Sequence, residues 1–153
     1  MEEDAGKSLH DRVPGATAVD LNRAGTPLVE IVTEPDLRSP SEARAFLTQL
    51  KRALEYLEVS DCNMEEGSLR VDANVSVRRP GEPLGTKTEV KNMNSFSNVE
   101  RAIHFEIGRQ MGLRERGEPV EHQTMLWDAN RGEARFIVAK DRRLHWHPVA
   151  AAL

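Results

Sequence analysis

The sequence predicts an α+β domain with a mostly antiparallel sheet and two packed amphipathic helices, and three observations carry that reading. A long alternating run, Ser68 to Arg78, is followed by a turn-forming stretch and a second alternating run, Thr86 to Lys91. Alternation puts successive side chains on opposite faces of a strand, so the two runs read as a hairpin. Two capping boxes, Ser39-Pro40-Ser41-Glu42 and Ser97-Asn98-Val99-Glu100, each open a segment with apolar residues at helical spacing. The central connection is therefore a hairpin and not a crossover helix, which favours antiparallel pairing.

Composition bounds the function. Hydrophobic residues make up 39% and charged residues 30% of the 153 positions, as in an ordinary globular domain with a real core. The 21 basic and 25 acidic residues leave a formal charge of −4, so any RNA contact is expected as a local patch and not as a global attraction. One cysteine, Cys62, excludes an internal disulfide and suits a reducing compartment. No apolar run approaches the ~20 residues of a membrane span, and the acidic start lacks a signal peptide's charge pattern. A soluble, intracellular chain without a membrane partner is expected.

Taken in order, Glu2, Glu3 and Asp4 set three carboxylates ahead of Ala5-Gly6-Lys7-Ser8. Gly-Lys-Ser is the end of a phosphate-binding loop pattern, but the earlier glycine that the pattern needs is missing. Acidic ligands beside one phosphate-reaching lysine, Lys7, and a frayed solvated terminus are the two readings left. His10 to Ala18 reads as a loop through Pro14-Gly15. Leu28 to Glu34 is a β-branched run bounded by turn signals, hence a strand. The first helix presents Ala43, Phe46, Leu47, Leu50, Leu54 and Leu57 to a core. The second presents Val99, Ala102, Ile103, Ile107 and Met111 and stops at Gly112. His104 on it reads as a surface or packing residue, and Cys62 as a structural one. A further strand over Glu118 to Asp128 and a return strand over Glu133 to Ala139 complete the order, while His145 and His147 make no argument for a metal.

The hairpin carries the chemistry. Leu69, Val71, Ala73, Val75 and Val77 form one face; Ser68, Arg70, Asp72, Asn74, Ser76 and Arg78 form the other, with same-face neighbours roughly 6.6 Å apart. Antiparallel pairing can lay Lys87, Glu89 and Lys91 beside Arg70, Asp72 and Asn74. Carboxylates suit a hard cation, and Lys and Arg suit phosphate oxygens, so this is the material of a metal and phosphate site. A salt-bridged exposed face is the equal alternative from the hairpin alone.

Four stretches read together narrow the choice: Glu2 to Ser8, Val19-Asp20-Leu21-Asn22-Arg23-Ala24-Gly25-Thr26-Pro27-Leu28, Ser60 to Val77, and Glu89-Val90-Lys91-Asn92-Met93-Asn94-Ser95-Phe96. They closely resemble the B subunit of the three-subunit Asp/Glu-tRNA(Asn/Gln) amidotransferase family, over roughly Met1 to Glu133. The resemblance implies a partial catalytic cradle domain over 1–135, within a larger cradle, and an atypical C-terminal tail over 136–153. It implies an ATP- and Mg²⁺-dependent ligase chemistry. The side-chain carboxylate of misacylated Glu-tRNA(Gln) or Asp-tRNA(Asn) is phosphorylated, then amidated with ammonia from a glutaminase A subunit, with a small C subunit completing the complex. By resemblance, Glu3, Asp72 and Glu89 match metal ligands. Arg70, Lys87 and Lys91 are expected in catalysis, and Lys7, Arg70, Asn74, Lys87, Asn92, Asn94 and Ser95 in ATP or acyl-phosphate contacts.

The family's earlier Gly-Leu-Glu-Ile/Val-His strand and its later Tyr-Arg-Tyr-Phe-Pro segment are not found here, so the chain reads as a fragment with no activity expected alone. The cytoplasm is the expected compartment, with a mitochondrion or plastid as the alternative. A catalytically inactive scaffold or docking module, and a generic Mg²⁺-dependent phosphotransferase, are the competing readings.

Overall fold

The computed structural model describes residues 2–13 and 16–137, and these divide between two compact units, Met1–Val32 and Thr33–Leu153. Pro14, Gly15, the end of the expected return strand beyond Ile137, and both His145 and His147 lie outside the described residues.

The first unit is built from two short antiparallel pairs. β1 (Glu2–Glu3) pairs with β4 (Pro27–Leu28), and β2 (Lys7–Val13) pairs with β3 (Ala16–Asp20) in the register Lys7↔Asp20, Ser8↔Val19, Leu9↔Ala18. The expected loop over His10 to Ala18 is therefore mostly strand. A Pro-Gly pair between two short extended runs is also a hairpin signal, and the loop reading weighed only the pair. The expected strand over Leu28 to Glu34 shrinks to its first residue. β1 offers β4 two residues, so the β-branched run after Leu28 has no ladder among the described residues, and β propensity without a partner makes no strand. Val29, Ile31 and Val32 are accordingly exposed.

The second unit holds the core. Its sheet has the order β5 (Ala73–Val75), β6 (Thr88–Lys91), β7 (Thr124–Asp128), β8 (Glu133–Phe136). β5–β6 and β7–β8 are antiparallel, as expected, whereas β6–β7 is parallel. A parallel pair needs a long crossover, and α2 (Phe96–Glu115) supplies it. α2 packs on β5, on β8 and on α1 (Pro40–Tyr56). Ala43 and Leu47 of α1, Val99, Ala102 and Ile103 of α2, and Ala73, Val75, Val90, Met125, Trp127 and Ala134 of the sheet form one buried cluster. No helix among the described residues is long and apolar enough to cross a membrane.

Helix ends follow local chemistry. Ser39 caps α1, accepting from Glu42 N at 3.2 Å, with Pro40 at the first helical position. Leu57, expected in the core, lies past the helix end and is 65% exposed. α2 begins at Ser95, two residues earlier than expected, because Ser95 already has the extended cap backbone and accepts from Asn98 N at 3.1 Å. Ser95→Ala should cost about 1 kcal/mol in thermal unfolding. Gly112 does not stop the helix. The stop is Gly117, whose φ of 71° takes the left-handed turn while Glu118 N donates to Leu113 O and Gly117 N to Arg114 O. Met111, expected on the core face of the helix, is exposed.

β5 is much shorter than the alternation over Ser68 to Arg78 suggested, and α2 explains its limits. Val75 O accepts from Gln110 Nε2 at 2.9 Å and Val77 O from Arg114 Nη1 at 2.8 Å, so helix side chains take carbonyls that an extended ladder would use. Arg114 also holds Glu82 Oε2 at 2.7 Å, fastening the hairpin loop, and keeps the Glu82 carboxyl below its ordinary value. The loop crosses the strand so closely that a Cβ on Gly85 would sit 2.6 Å from Val77 O. Gly85→Ala should therefore destabilise by about 1–3 kcal/mol, read in urea unfolding.

Candidate metal and phosphate site

The face of the sheet turned away from α2 is organised by the β5–β6 register. Asn74 lies opposite Glu89, between the pairs Ala73↔Val90 and Val75↔Thr88. One step further along, Lys91 Nζ reaches Asp72 Oδ2 at 2.5 Å and Glu89 Oε1 at 3.1 Å. Asp72, Asn74, Glu89 and Lys91 are thus brought together, as the alternation required. Burial works against the charge on Lys91, but its bonds to Asp72 and Glu89 outweigh that and hold its pKa above 10.5. A raised lysine pKa stabilises fully below the ordinary value, and that contribution is lost as pH rises through the folded one.

The parallel strand β7 adds a residue that sequence reasoning missed. Thr124 pairs with Glu89, and its Oγ1 donates to Glu89 Oε2 at 3.0 Å, fixing the carboxylate's second oxygen. Thr124 falls within the strand expected over Glu118 to Asp128; nothing local told which strand it would meet. Arg70 is exposed two residues before Asp72, and Lys87 is half-buried two residues before Glu89 with no ion pair among the described residues.

A buried polar network stands behind this face. Glu106 is fully buried on α2 and accepts from Arg109 Nε at 2.8 Å, Arg109 Nη2 at 2.7 Å and Gln110 Nε2 at 2.7 Å. Gln110 Nε2 also lies 3.2 Å from Thr88 Oγ1, and Arg109 Nη2 lies 3.4 Å from the same oxygen. The hairpin strand next to Glu89 is thereby bolted to the helix beneath it.

Asn92, Asn94 and Ser95 are placed where β6 passes into α2. Asn92 takes a left-handed backbone with φ of 68°, and its Nδ2 donates to Trp127 O at 3.1 Å. Asn94 Oδ1 accepts from Asn98 Nδ2 at 2.6 Å, and Ser95 caps α2. Their side chains thus support the β6–α2 junction. In the first unit, Glu3 lies on β1 opposite Pro27 and Lys7 on β2 opposite Asp20, both exposed. Asp4, which sequence reasoning grouped only by charge, accepts from Arg23 Nε at 2.9 Å and braces the turn before β4.

No group of three or more His, Cys, Asp or Glu side chains assembles a metal-ligand set among the described residues. The carboxylate pair nonetheless suits Mg²⁺: two oxygen donors already converge on one cation, Lys91 Nζ, and Mg²⁺ is commonly held by one or two carboxylates with water and phosphate oxygens completing its shell. Lys87 and Arg70 on the same hairpin supply cations of the kind that phosphate requires. An open groove of about 540 Å³ lies elsewhere, lined by Ser41, Glu100, Arg101, His104, Phe105 and Trp127, and contains none of the expected site residues. Trp127 floors it, buried, with Phe105 edge-on at 6.1 Å and its Nε1 on Asn98 Oδ1 at 3.3 Å. Its main elements are therefore packing, and the polar chemistry sits on the hairpin. Cys62 is a buried free thiol.

The family model for the GatB/GatE catalytic domain matches residues 1–147, a match that extends into the segment 136–153. A curated relative from Salinibacter ruber, the B subunit of an aspartyl/glutamyl-tRNA(Asn/Gln) amidotransferase, is 58% identical over 142 residues, covering 92% of this chain and 28% of the relative. The B subunits of the amidotransferases of the same name from Moorella thermoacetica and Hydrogenovibrio crunogenus are 57% and 52% identical, covering 93% and 92% of this chain and 30% of each relative. The chain thus spans less than a third of the length of these relatives.

Proposed function

The chain belongs to the GatB/GatE catalytic-domain family, and from that premise we propose that its hairpin face is the Mg²⁺–ATP part of a tRNA-dependent amidotransferase. The observation that carries the reading is the convergence of Asp72 and Glu89 on one cation position, with Thr124 orienting Glu89 and with Lys87 and Arg70 alongside. In the proposed reaction the side-chain carboxylate of misacylated Glu-tRNA(Gln) or Asp-tRNA(Asn) attacks the γ-phosphorus of ATP, and ADP leaves. Ammonia from a glutaminase A subunit then displaces phosphate to form the amide, with a small C subunit in the complex.

Phosphoryl transfer of this kind depends on positioning and on neutralising charge. Asp72 and Glu89 would hold Mg²⁺. The bound ion neutralises phosphate oxygens and fixes their geometry. Lys87, Arg70 and Lys91 would stabilise charge on the transferred group, Asn74 would contact phosphate, and Asn92, Asn94 and Ser95 would hold the loop that borders the nucleotide. The cytoplasm is the compartment that fits this role.

Hydroxylamine trapping tests the proposal. The chain, combined with A and C subunits, Glu-tRNA(Gln) and Mg²⁺–ATP, should yield a γ-glutamyl hydroxamate from the acyl phosphate. Trapping that persists unchanged in Asp72→Asn and Glu89→Gln would remove the hairpin from the mechanism.

A further inference from the structure

The cation position between Asp72 and Glu89 is taken by one of the chain's own side chains. Lys91 Nζ lies 2.5 Å from Asp72 Oδ2 and 3.1 Å from Glu89 Oε1, so a metal ion bridging those two oxygens would have to displace the ammonium. Glu89 is steadied independently by Thr124, whereas Lys91 ends a flexible four-carbon stem and is half-buried, with solvent at hand. The longest side chain of the trio, with the most rotatable bonds, is the lysine.

We propose that Lys91 is an internal counter-cation that a divalent metal displaces, and that the displaced ammonium then serves as an anion ligand, coupling metal binding to polyphosphate binding. The proposal rests on the reading of this face as a metal and phosphate site. Its physical basis is charge. The two carboxylates and the one ammonium of Asp72, Glu89 and Lys91 sum to a charge of −1, so this trio does not itself attract phosphate. With a divalent ion between them, the carboxylates are neutralised and Lys91 adds a positive charge to the face. The ammonium guards the carboxylates while the metal is absent and turns to phosphate when the metal arrives. Coupling of this kind is reciprocal: the anion tightens the metal by the factor with which the metal tightens the anion.

The test is a Mn²⁺ titration of the full 153-residue chain, following free Mn²⁺ by electron paramagnetic resonance, in wild type and Lys91→Met. Removing the competitor should tighten Mn²⁺ by about tenfold, the size expected for losing two partly exposed ion pairs. Inorganic tripolyphosphate should bind wild type several-fold more tightly once Mn²⁺ is bound, and Lys91→Met should lose most of that gain. Equal or weaker Mn²⁺ affinity in a folded Lys91→Met, beside a wild type that binds, would overturn the counter-cation role and leave the metal-site reading intact. If neither protein binds Mn²⁺, both ideas fall. Should Lys91→Met fail to fold, the wild-type ¹⁵Nζ resonance of Lys91 decides: it shifts as Mg²⁺ saturates if the ammonium leaves, and a resonance that stays fixed refutes displacement.

Discussion

Glu106→Ala is expected to cost about 3–5 kcal/mol of folding stability, a large fraction of the ~5–15 kcal/mol a domain has. The carboxylate is fully buried and takes three hydrogen bonds, two from Arg109 and one from Gln110. Its removal leaves the Arg109 guanidinium uncompensated and Gln110 short of one of its acceptors beneath the hairpin. The loss is therefore more than one contact: the helix that bears these groups also takes the carbonyls of Val75 and Val77. Glu106→Gln keeps the shape and some of the bonding, and should cost roughly 1–3 kcal/mol. Urea unfolding of the two variants against wild type checks the ordering. A cost below about 1 kcal/mol for the alanine variant would show that the network does not anchor the sheet.

The second large effect is on chemistry and not on folding. Asp72→Asn and Glu89→Gln should each lower the rate of acyl-phosphate formation in the assembled enzyme by about 100-fold or more, since an oriented charged group at a transferring phosphate contributes on that scale. Both carboxylates are part-exposed, and exposed ion pairs contribute roughly 0–1 kcal/mol, so unfolding should barely move. The contrast is what the proposed reading predicts: Glu106 would hold the fold, and Asp72 and Glu89 would serve the reaction. Unfolding midpoints and hydroxamate yields measured on the same preparations separate the two. A fall in stability that parallels the fall in yield would reassign the hairpin carboxylates to structure.

The hairpin part of the candidate site was legible because alternation survives translation into geometry. Arg70, Asp72 and Asn74 on one run and Lys87, Glu89 and Lys91 on the next, separated by a turn, can be matched across an antiparallel pair, and Asn74↔Glu89 is that match. What alternation cannot give is non-local pairing. Thr124 reaches Glu89 only because α2 returns the chain parallel to β6, and no feature of residues 118–128 announced that neighbour. The buried network was missed for a related reason: the apolar spacing that marks the helix's core face does not include Glu106, Arg109 and Gln110, and only packing against the hairpin encloses them. Boundaries failed where side chains compete for backbone groups. Gln110 and Arg114 end the β5 ladder, and Ser95 caps α2 ahead of the equally suitable Ser97. The run after Leu28 had strand propensity but no ladder partner among the described residues, which a single segment cannot reveal.

The measurement that tests the account most directly is a calorimetric titration of the folded chain with Mg²⁺–ATP, beside Asp72→Ala and Glu89→Ala. The account predicts saturable binding by wild type that both substitutions abolish. No heat of binding from a wild type shown to be folded, or binding that survives both substitutions unchanged, would contradict the assignment of the hairpin face as the metal and phosphate site.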